Sequence, residues 1–180
     1  MINLLIIAVV IFLKFALPAA IVFFPFGVGW ANFVLDSVDG DILIPAGMSD
    51  QNYQPIDKIA DWCTYVAMAW CAWRFRWRIR KLIYGLFVFR SVGQALFLLT
   101  GDGKWFFFFP NFLEPLFLIY ATVIFFKKRD EAAAFAFFAK REIAFIAGIF
   151  LYKMQDEYIT HIAKIDRTDF FQDLFSKFLN

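Results

Sequence analysis

An all-α, polytopic integral membrane bundle is the fold class that this sequence predicts. Hydrophobic residues make up 62% and aromatic residues 22% of its 180 residues, and the mean hydropathy of +0.63 is well above that of water-soluble domains. Short polar or basic turns separate apolar stretches that are close to the roughly 20 residues a helix needs to cross a bilayer. We therefore expect one multi-pass domain over residues 1–180, located in the cell membrane.

About five transmembrane helices are predicted, within limits of four and six. The predicted spans lie at residues 2–35, 56–73, 82–99, 105–126 and 141–158. Pro18 and Pro25 predict a kink in the first span. One bent span is preferred to two, because a hairpin at Leu17 and Pro18 would leave a first arm too short to cross. The fifth span is the least regular, since charged residues 140–142 divide its apolar run from the preceding one.

The segments between and after the spans have their own patterns. Residues 36–54 have the composition of a loop, after which Pro55 is predicted to open the second span. Residues 166–180 alternate apolar and charged side chains at helical spacing, which predicts an interfacial amphipathic helix. Eight basic residues follow the second and fourth spans, at Arg74, Arg76, Arg78, Arg80, Lys81, Lys127, Lys128 and Arg129.

Charge and cysteine content exclude some classes of function. The net charge is only +2, so the sequence predicts no nucleic-acid partner, which would require clustered cations on a polar surface. Cys63 and Cys71 are about 12 Å apart along one predicted helix, too far for a disulfide. The lipid bilayer is the expected partner. A homodimer is left open, since lipid-facing apolar surface is no evidence for one.

Aspartates gather where the first apolar stretch ends and the second begins. Asp36, Asp39 and Asp41 close the first stretch, and Asp57 and Asp61 open the next, one helical turn apart. Carboxylates at the edge of hydrocarbon need counter-charge, and Mg²⁺, Mn²⁺ and Ca²⁺ prefer such oxygen ligands. By residue type alone, a solvated turn beside an acidic helix start explains the same residues equally well.

The spacing Asp36-x2-Asp39-Gly40, then Asp57-x3-Asp61, resembles the signature of the CDP-alcohol phosphotransferase family, also called CDP-alcohol phosphatidyltransferases. These membrane enzymes of phospholipid biosynthesis place the first pair at the end of one transmembrane helix and the second pair at the start of the next. The resemblance covers residues 30–65. The family's Ala-Arg and its later Gly are replaced here, by Leu43, Ile44 and Tyr53.

The resemblance implies a transferase that moves a phosphoalcohol or phosphatidyl group from a CDP-linked donor to an alcohol acceptor. Asp36, Asp39 and Asp57 would hold Mg²⁺ or Mn²⁺ against the donor's diphosphate. Asp61, counted with the metal site, would be the general base that takes the acceptor's proton while CMP leaves. Gly40 would let the backbone approach the nucleotide. Asp41 is a further candidate for substrate binding.

Three polar residues in the later spans are candidates for a role in the bundle interior. Arg90 falls in the middle of the third span, so we expect it to face the bundle interior and to pair with a carboxylate such as Asp61 or Glu114. A substrate contact and a structural ion pair are equally good interpretations of Arg90. Asn111 and Glu114 are three residues apart at the start of the fourth span, which is typical of a capping box.

A second function fits the same aspartates. Turns rich in Lys and Arg usually stay cytoplasmic, and the basic runs lie on the side opposite to residues 36–54. That orientation would place the aspartates outside the cytoplasm, where a non-enzymatic assembly or binding protein, or a small transporter, could hold Ca²⁺ with them. A CDP-linked donor is cytosolic, so membrane orientation separates the two functions.

Overall fold

The computed structural model describes residues 2–163, and within that range the chain forms helices and turns with no strand. The helices are α1 (Ile2–Ile21), α2 (Pro25–Leu43), α3 (Asp50–Arg74), α4 (Arg80–Thr100), α5 (Lys104–Phe108), α6 (Leu113–Phe126), α7 (Glu131–Ala139) and α8 (Glu142–Glu157), followed by a π-helical turn, Tyr158–Ile162. The all-α prediction is confirmed for this part of the chain. The amphipathic helix predicted at 166–180 lies outside the described residues.

The first apolar stretch is a helical hairpin, so the prediction of one bent helix over 2–35 is wrong. Lys14 contacts Asp39, 25 positions later, whereas a continuous helix would separate them by about 37 Å. The chain turns at residues 22–24, and Pro25 then opens α2, where its missing N–H costs nothing. Helix α1 continues through Pro18 and has 20 residues, which is long enough to cross a bilayer.

The loop predicted at 36–54 is much shorter in the structure. Helix α2 continues to Leu43, so its aspartates lie on a helix, and only residues 44–49 are outside α2 and α3. Helix α3 begins at Asp50 rather than at Pro55, after Ser49 in an extended N-cap conformation. The amide groups of Asn52 and Tyr53 donate to the Ser49 carbonyl at 3.0 and 2.9 Å. Pro55 is accommodated in the second turn of α3.

The later helices agree with the sequence in part. Helix α4 matches the helix predicted at 82–99, and it ends at Gly101, whose φ of 69° is the left-handed conformation of a helix cap. The prediction of a single helix over 105–126 is wrong. The chain forms α5 and α6 there, because Pro110 lacks the amide hydrogen that would continue α5. Helix α8 falls within the predicted residues 141–158, and α7 is separate from it.

Two helices, α1 and α4, are long and apolar enough to cross a membrane by length and composition. Helix α6 is equally apolar but has only 14 residues, about 21 Å of helix against a hydrocarbon core of about 30 Å. Helix α3 has 25 residues and carries charged side chains near both ends. Length and composition alone therefore support fewer crossings than the five predicted spans.

The helices pack around a core formed mainly by α3 and α6. Small side chains on α3, such as Ala69 and Ala72, are buried and allow close helix approach. Large side chains of α6, such as Phe117 and Tyr120, fill the centre. The two ends of the bundle differ in charge. At the carboxylate end α2 ends and α3 begins, and the basic end is formed by residues 75–79 and 127–130.

Gly93 marks the closest approach of α4 to the segment after α5. A Cβ here would overlap the Cβ of Phe109. We expect Gly93→Ala to lower the free energy of unfolding by about 1–3 kcal/mol through overpacking, measured by unfolding of the purified protein in micelles. Gly85→Ala on the same helix is the matched control, since its Cβ would meet nothing within 4 Å. Equal losses in both variants would contradict this account.

Candidate functional site

Three of the predicted aspartates converge at the carboxylate end. One carboxylate oxygen each from Asp36, Asp39 and Asp57 lies within 4.8 Å of the other two. Asp39 and Asp57 are buried, whereas the Asp36 side chain is 36% exposed at the rim. The prediction that two helix ends present carboxylates to each other is confirmed, and α2 supplies two of these residues and α3 the third.

Tyr53 ties the start of α3 to the end of α2. Its hydroxyl donates to Asp39 Oδ1 at 2.9 Å, and a Cβ at Gly40 would lie 3.3 Å from the same hydroxyl oxygen. Gly40 therefore makes room for Tyr53 in this structure. Tyr53 thus has a structural position beside the carboxylates.

Lys14 lies among the three carboxylates, and the sequence reasoning assigned it no role. Its side chain is only 3% exposed, and its Nζ lies 3.1 Å from Asp36 Oδ1 and 2.6 Å from Asp57 Oδ1. It also donates to Asp39 Oδ2, so all three ammonium hydrogens have an acceptor. The signal was present: a lone lysine inside an apolar helix must find carboxylates to be tolerated.

Lys58 is the second residue that the sequence reasoning missed. Its Nζ bridges Asp57 Oδ2 at 2.7 Å and Asp61 Oδ2 at 3.3 Å. Asp61 therefore joins the cluster through Lys58, one helical turn beyond Asp57, and lies outside the group of three. Four carboxylates and two ammonium groups leave two negative charges when all six are ionised. In that ionisation state the cluster attracts a further cation.

The remaining predicted site positions near α2 lie outside this cluster. Asp41 is exposed in the last turn of α2. Leu43 is fully buried and Ile44 is exposed. Basic groups near the carboxylates come from Lys14 on α1 and Lys58 on α3.

Arg90 is buried as predicted, but its partner differs. Its Nη1 donates to Glu157 Oε1 at 3.3 Å and to the Phe109 carbonyl at 2.7 Å. The expected pairing with a carboxylate is confirmed, but Asp61 and Glu114 are the wrong partners, because the end of α8 packs beside α5 and brings Glu157 to the guanidinium. An ion pair from a helix this far along the chain has no local sequence signal.

Asn111 joins the Arg90 pair to a second polar cluster. Its backbone amide donates to Glu157 Oε1 at 3.2 Å, and its side-chain amide donates to Tyr65 Oη and to Glu114 Oε2, each at 3.1 Å. The Glu114 amide donates back to Asn111 Oδ1 at 3.2 Å, which is one half of the predicted capping box. The other half is not formed, since the Asn111 amide donates to Glu157. Lys153 lies 4.0 Å from Glu157, so α3, α4, α6 and α8 all contribute.

Phe106 separates the two clusters. Lys58 Nζ lies 5.4 Å and Arg90 Cζ 4.5 Å from the centroid of its ring. Gln94 lies beside the first cluster, where its side-chain amide donates to the Lys58 carbonyl. Within the described residues, Arg90 Nε and Gln94 Oε1 are buried without a hydrogen-bond partner. A polar layer therefore runs beneath the carboxylates, with unused donor and acceptor capacity.

The three converging carboxylates suit a divalent cation by chemistry and spacing. Oxygens on opposite sides of Mg²⁺ are about 4.2 Å apart and those around Ca²⁺ up to about 5 Å, which brackets the 4.8 Å limit of the group. Lys14 Nζ takes the same position, so a cation can enter only if the lysine side chain moves aside.

Compared with known proteins, the chain has no significant match among family models, curated proteins or solved structures.

Proposed function

We propose that the chain is a multi-pass membrane protein. Large apolar side chains are highly exposed on several helices, including Leu4, Leu99 and Ile143 at 72, 83 and 86%, an arrangement that lipid favours and water does not. The crossing segments would be α1, α2, α3, α4, α5 with α6, and α8 with its π-helical turn. That number is one more than the five predicted spans and equals the six of the family it resembles.

We propose further that it is a metal-dependent CDP-alcohol phosphotransferase-like enzyme. The observation that carries this proposal is the convergence of Asp36, Asp39 and Asp57 within 4.8 Å, at the spacing that the signature requires. Mg²⁺ or Mn²⁺ held by these carboxylates would neutralise charge on the phosphates of the CDP-linked donor. Asp61 lies outside the group of three carboxylates, a position that suits a separate role as the general base.

Asp61 would act on the acceptor alcohol. As the hydroxyl oxygen forms its bond to phosphorus, the hydroxyl proton passes to the Asp61 carboxylate, and the bond from phosphorus to the CMP oxygen breaks, so that CMP leaves with the electron pair. Lys58, 3.3 Å from Asp61 Oδ2, would orient this carboxylate. Phe106 lies between Arg90 and the carboxylates. Arg90 would therefore contact the donor only through a part of the substrate that extends past Phe106.

We expect release of CMP from CDP-diacylglycerol by the purified protein with one of a panel of alcohols, in the presence of Mg²⁺ or Mn²⁺. Loss of a general base costs typically 10²- to 10⁴-fold in rate, so Asp61→Asn should abolish measurable release. Asp50→Asn is the matched control, because Asp50 is exposed at the start of α3. No release with any acceptor, or equal activity of the two variants, would sink the proposed reaction.

The second candidate function is cation binding without chemistry, with Ca²⁺ held outside the cytoplasm. The basic end, opposite to the carboxylates, favours it, since Lys/Arg-rich turns usually stay cytoplasmic. Ser49 is exposed between α2 and α3 and reports orientation when replaced by cysteine in a chain lacking Cys63 and Cys71. Labelling of Ser49→Cys from outside intact cells would contradict the CDP-dependent enzyme. Protection there, with labelling of Arg78→Cys, would support it.

A further inference from the structure

A second site lies at the basic end, away from the carboxylates. A cavity of about 200 Å³ opens between the α1–α2 turn, the α3–α4 turn and the end of α6. Its walls are aromatic; Phe26 and Phe125 stack with ring centroids 4.2 Å apart, and Trp77 packs beside them in the lining. The charged lining residues are Arg129 and Glu131. The cavity is therefore apolar inside and charged at one edge.

The acidic residue of this lining is already engaged. Glu131 Oε1 accepts from the Tyr120 hydroxyl and from the Arg78 amide, each at 2.7 Å, and Glu131 Oε2 lies 3.4 Å from Arg78 Nε. Arg129 has no carboxylate within ion-pair distance among residues 2–163, and neither do Arg76 or Lys128. Arg129 lines the cavity, and Arg76 and Lys128 are next to lining residues in the chain. The uncompensated charge beside the cavity is therefore positive.

These three cations occupy unusual backbone positions. Arg76, Lys128 and Arg129 have φ of 52, 54 and 67°, the left-handed region that usually takes glycine after a helix. A cation can interact favourably with the helix dipole without a positive φ, as Arg74 does in the last turn of α3. Cations kept at strained positions indicate that their charge is used.

Exposed aromatic rings lie at the same end. Phe23, which lines the same cavity as Arg129, is 82% exposed, and Phe126, which directly precedes the turn 127–130, is 72% exposed. Aromatic rings next to Lys and Arg are typical of the level of the lipid headgroups. The mouth of the cavity would then face phosphate groups, and its interior would face acyl chains. This placement holds in either membrane orientation.

We propose that this cavity binds an anionic phospholipid, with the phosphate at Arg76, Lys128 and Arg129 and part of one acyl chain among the aromatic side chains. A cavity of about 200 Å³ holds a portion of a chain and not a whole lipid. Positive charge at the mouth selects an anionic lipid over a zwitterionic one, and the apolar walls select a lipid over free phosphate.

The test uses the purified full-length protein in an uncharged detergent. Short-chain phosphatidylglycerol, phosphatidylcholine with the same chains, and inorganic phosphate are titrated, and binding is read by native mass spectrometry and by thermal unfolding. We expect phosphatidylglycerol to bind at least about tenfold more tightly than phosphatidylcholine, and phosphate to have no effect. Equal binding of the two lipids, or an equal response to phosphate, would overturn the proposal.

Variants assign the effect to the cavity edge. Each cation near an anionic headgroup contributes a factor of about five in affinity, so Arg76→Gln with Arg129→Gln should weaken phosphatidylglycerol binding about 25-fold. Arg76→Gly removes one cation and relieves its backbone, so it should fold at least as well and bind about fivefold more weakly. Lys104→Gln, exposed near the other end of the bundle, should change nothing. Wild-type affinity in the double variant, or a loss in Lys104→Gln equal to it, would overturn the assignment.

Discussion

Lys14→Met is expected to destabilise the metal-free protein by about 3–5 kcal/mol, because it removes one partner of a buried ion-pair cluster. Methionine keeps the length and apolar stem of lysine but none of its three donors. Asp39 and Asp57 would then remain buried beside the partly exposed Asp36, with Lys58 as the remaining cation of the described cluster. Thermal unfolding in the presence of EDTA measures this loss.

The same variant should be rescued by Mg²⁺ or Mn²⁺ more strongly than the wild type. A divalent cation can then occupy the space between the three carboxylates without displacing an ammonium group. At a concentration 100-fold above the dissociation constant, it would return about 2.7 kcal/mol. If the proposed transferase is correct, Lys14→Met should also release CMP at lower metal concentrations than the wild type, since no competing cation has to leave.

Lys153→Met is the control for this rescue. Lys153 is also buried, 2.6 Å from Asp156 and 4.0 Å from Glu157, but it belongs to the second polar cluster. We expect a loss of stability there that Mg²⁺ does not restore. If Mg²⁺ leaves the loss in Lys14→Met equally unchanged, Lys14 is a fixed structural partner of the aspartates. Both metal-dependent functions would then be excluded at this cluster.

The position of Lys14 shows which part of the carboxylate cluster could be predicted from the sequence and which part could not. The position of the aspartates predicted correctly that α2 and α3 present carboxylates to each other, because two consecutive helices joined by one loop have the end of the first and the start of the second on the same side of a bundle. The group that compensates them came from α1, 22 to 43 positions away in the chain. Only the hairpin brings it there, and hydropathy did not distinguish a hairpin from a kink, since the turn at 22–24 is itself aromatic and apolar.

Helix α4 and the segment after it show the same limit in another way. A regular apolar run with Gly101 at its end was enough to predict α4, whose boundaries depend on local residues. The break at Pro110 follows from a missing amide hydrogen, yet hydropathy continued across it. Burial of Arg90 was predictable from its place in an apolar helix, whereas Glu157 as its partner depends on how α8 packs.

Arg90→Met is expected to lower the free energy of unfolding by about 3–5 kcal/mol, through the loss of one member of a buried ion pair. Both side chains are almost fully buried, and the Nη1–Oε1 distance is 3.3 Å. Arg78→Met provides the contrast, because the Arg78 side chain is 55% exposed in its pair with Glu131. An exposed pair of this kind contributes about 0–1 kcal/mol.

A double-mutant cycle assigns the loss to the pair itself. Glu157→Gln removes the charge but keeps an oxygen for the Asn111 amide, which donates to this side chain at 3.2 Å. The loss in Arg90→Met with Glu157→Gln should be smaller than the sum of the single losses by about 0.5–3 kcal/mol, the range for residues in direct contact. Strictly additive losses would show that Arg90 stabilises the bundle chiefly through the Phe109 carbonyl, 2.7 Å from its Nη1. The ion pair would then be incidental to the packing of α8.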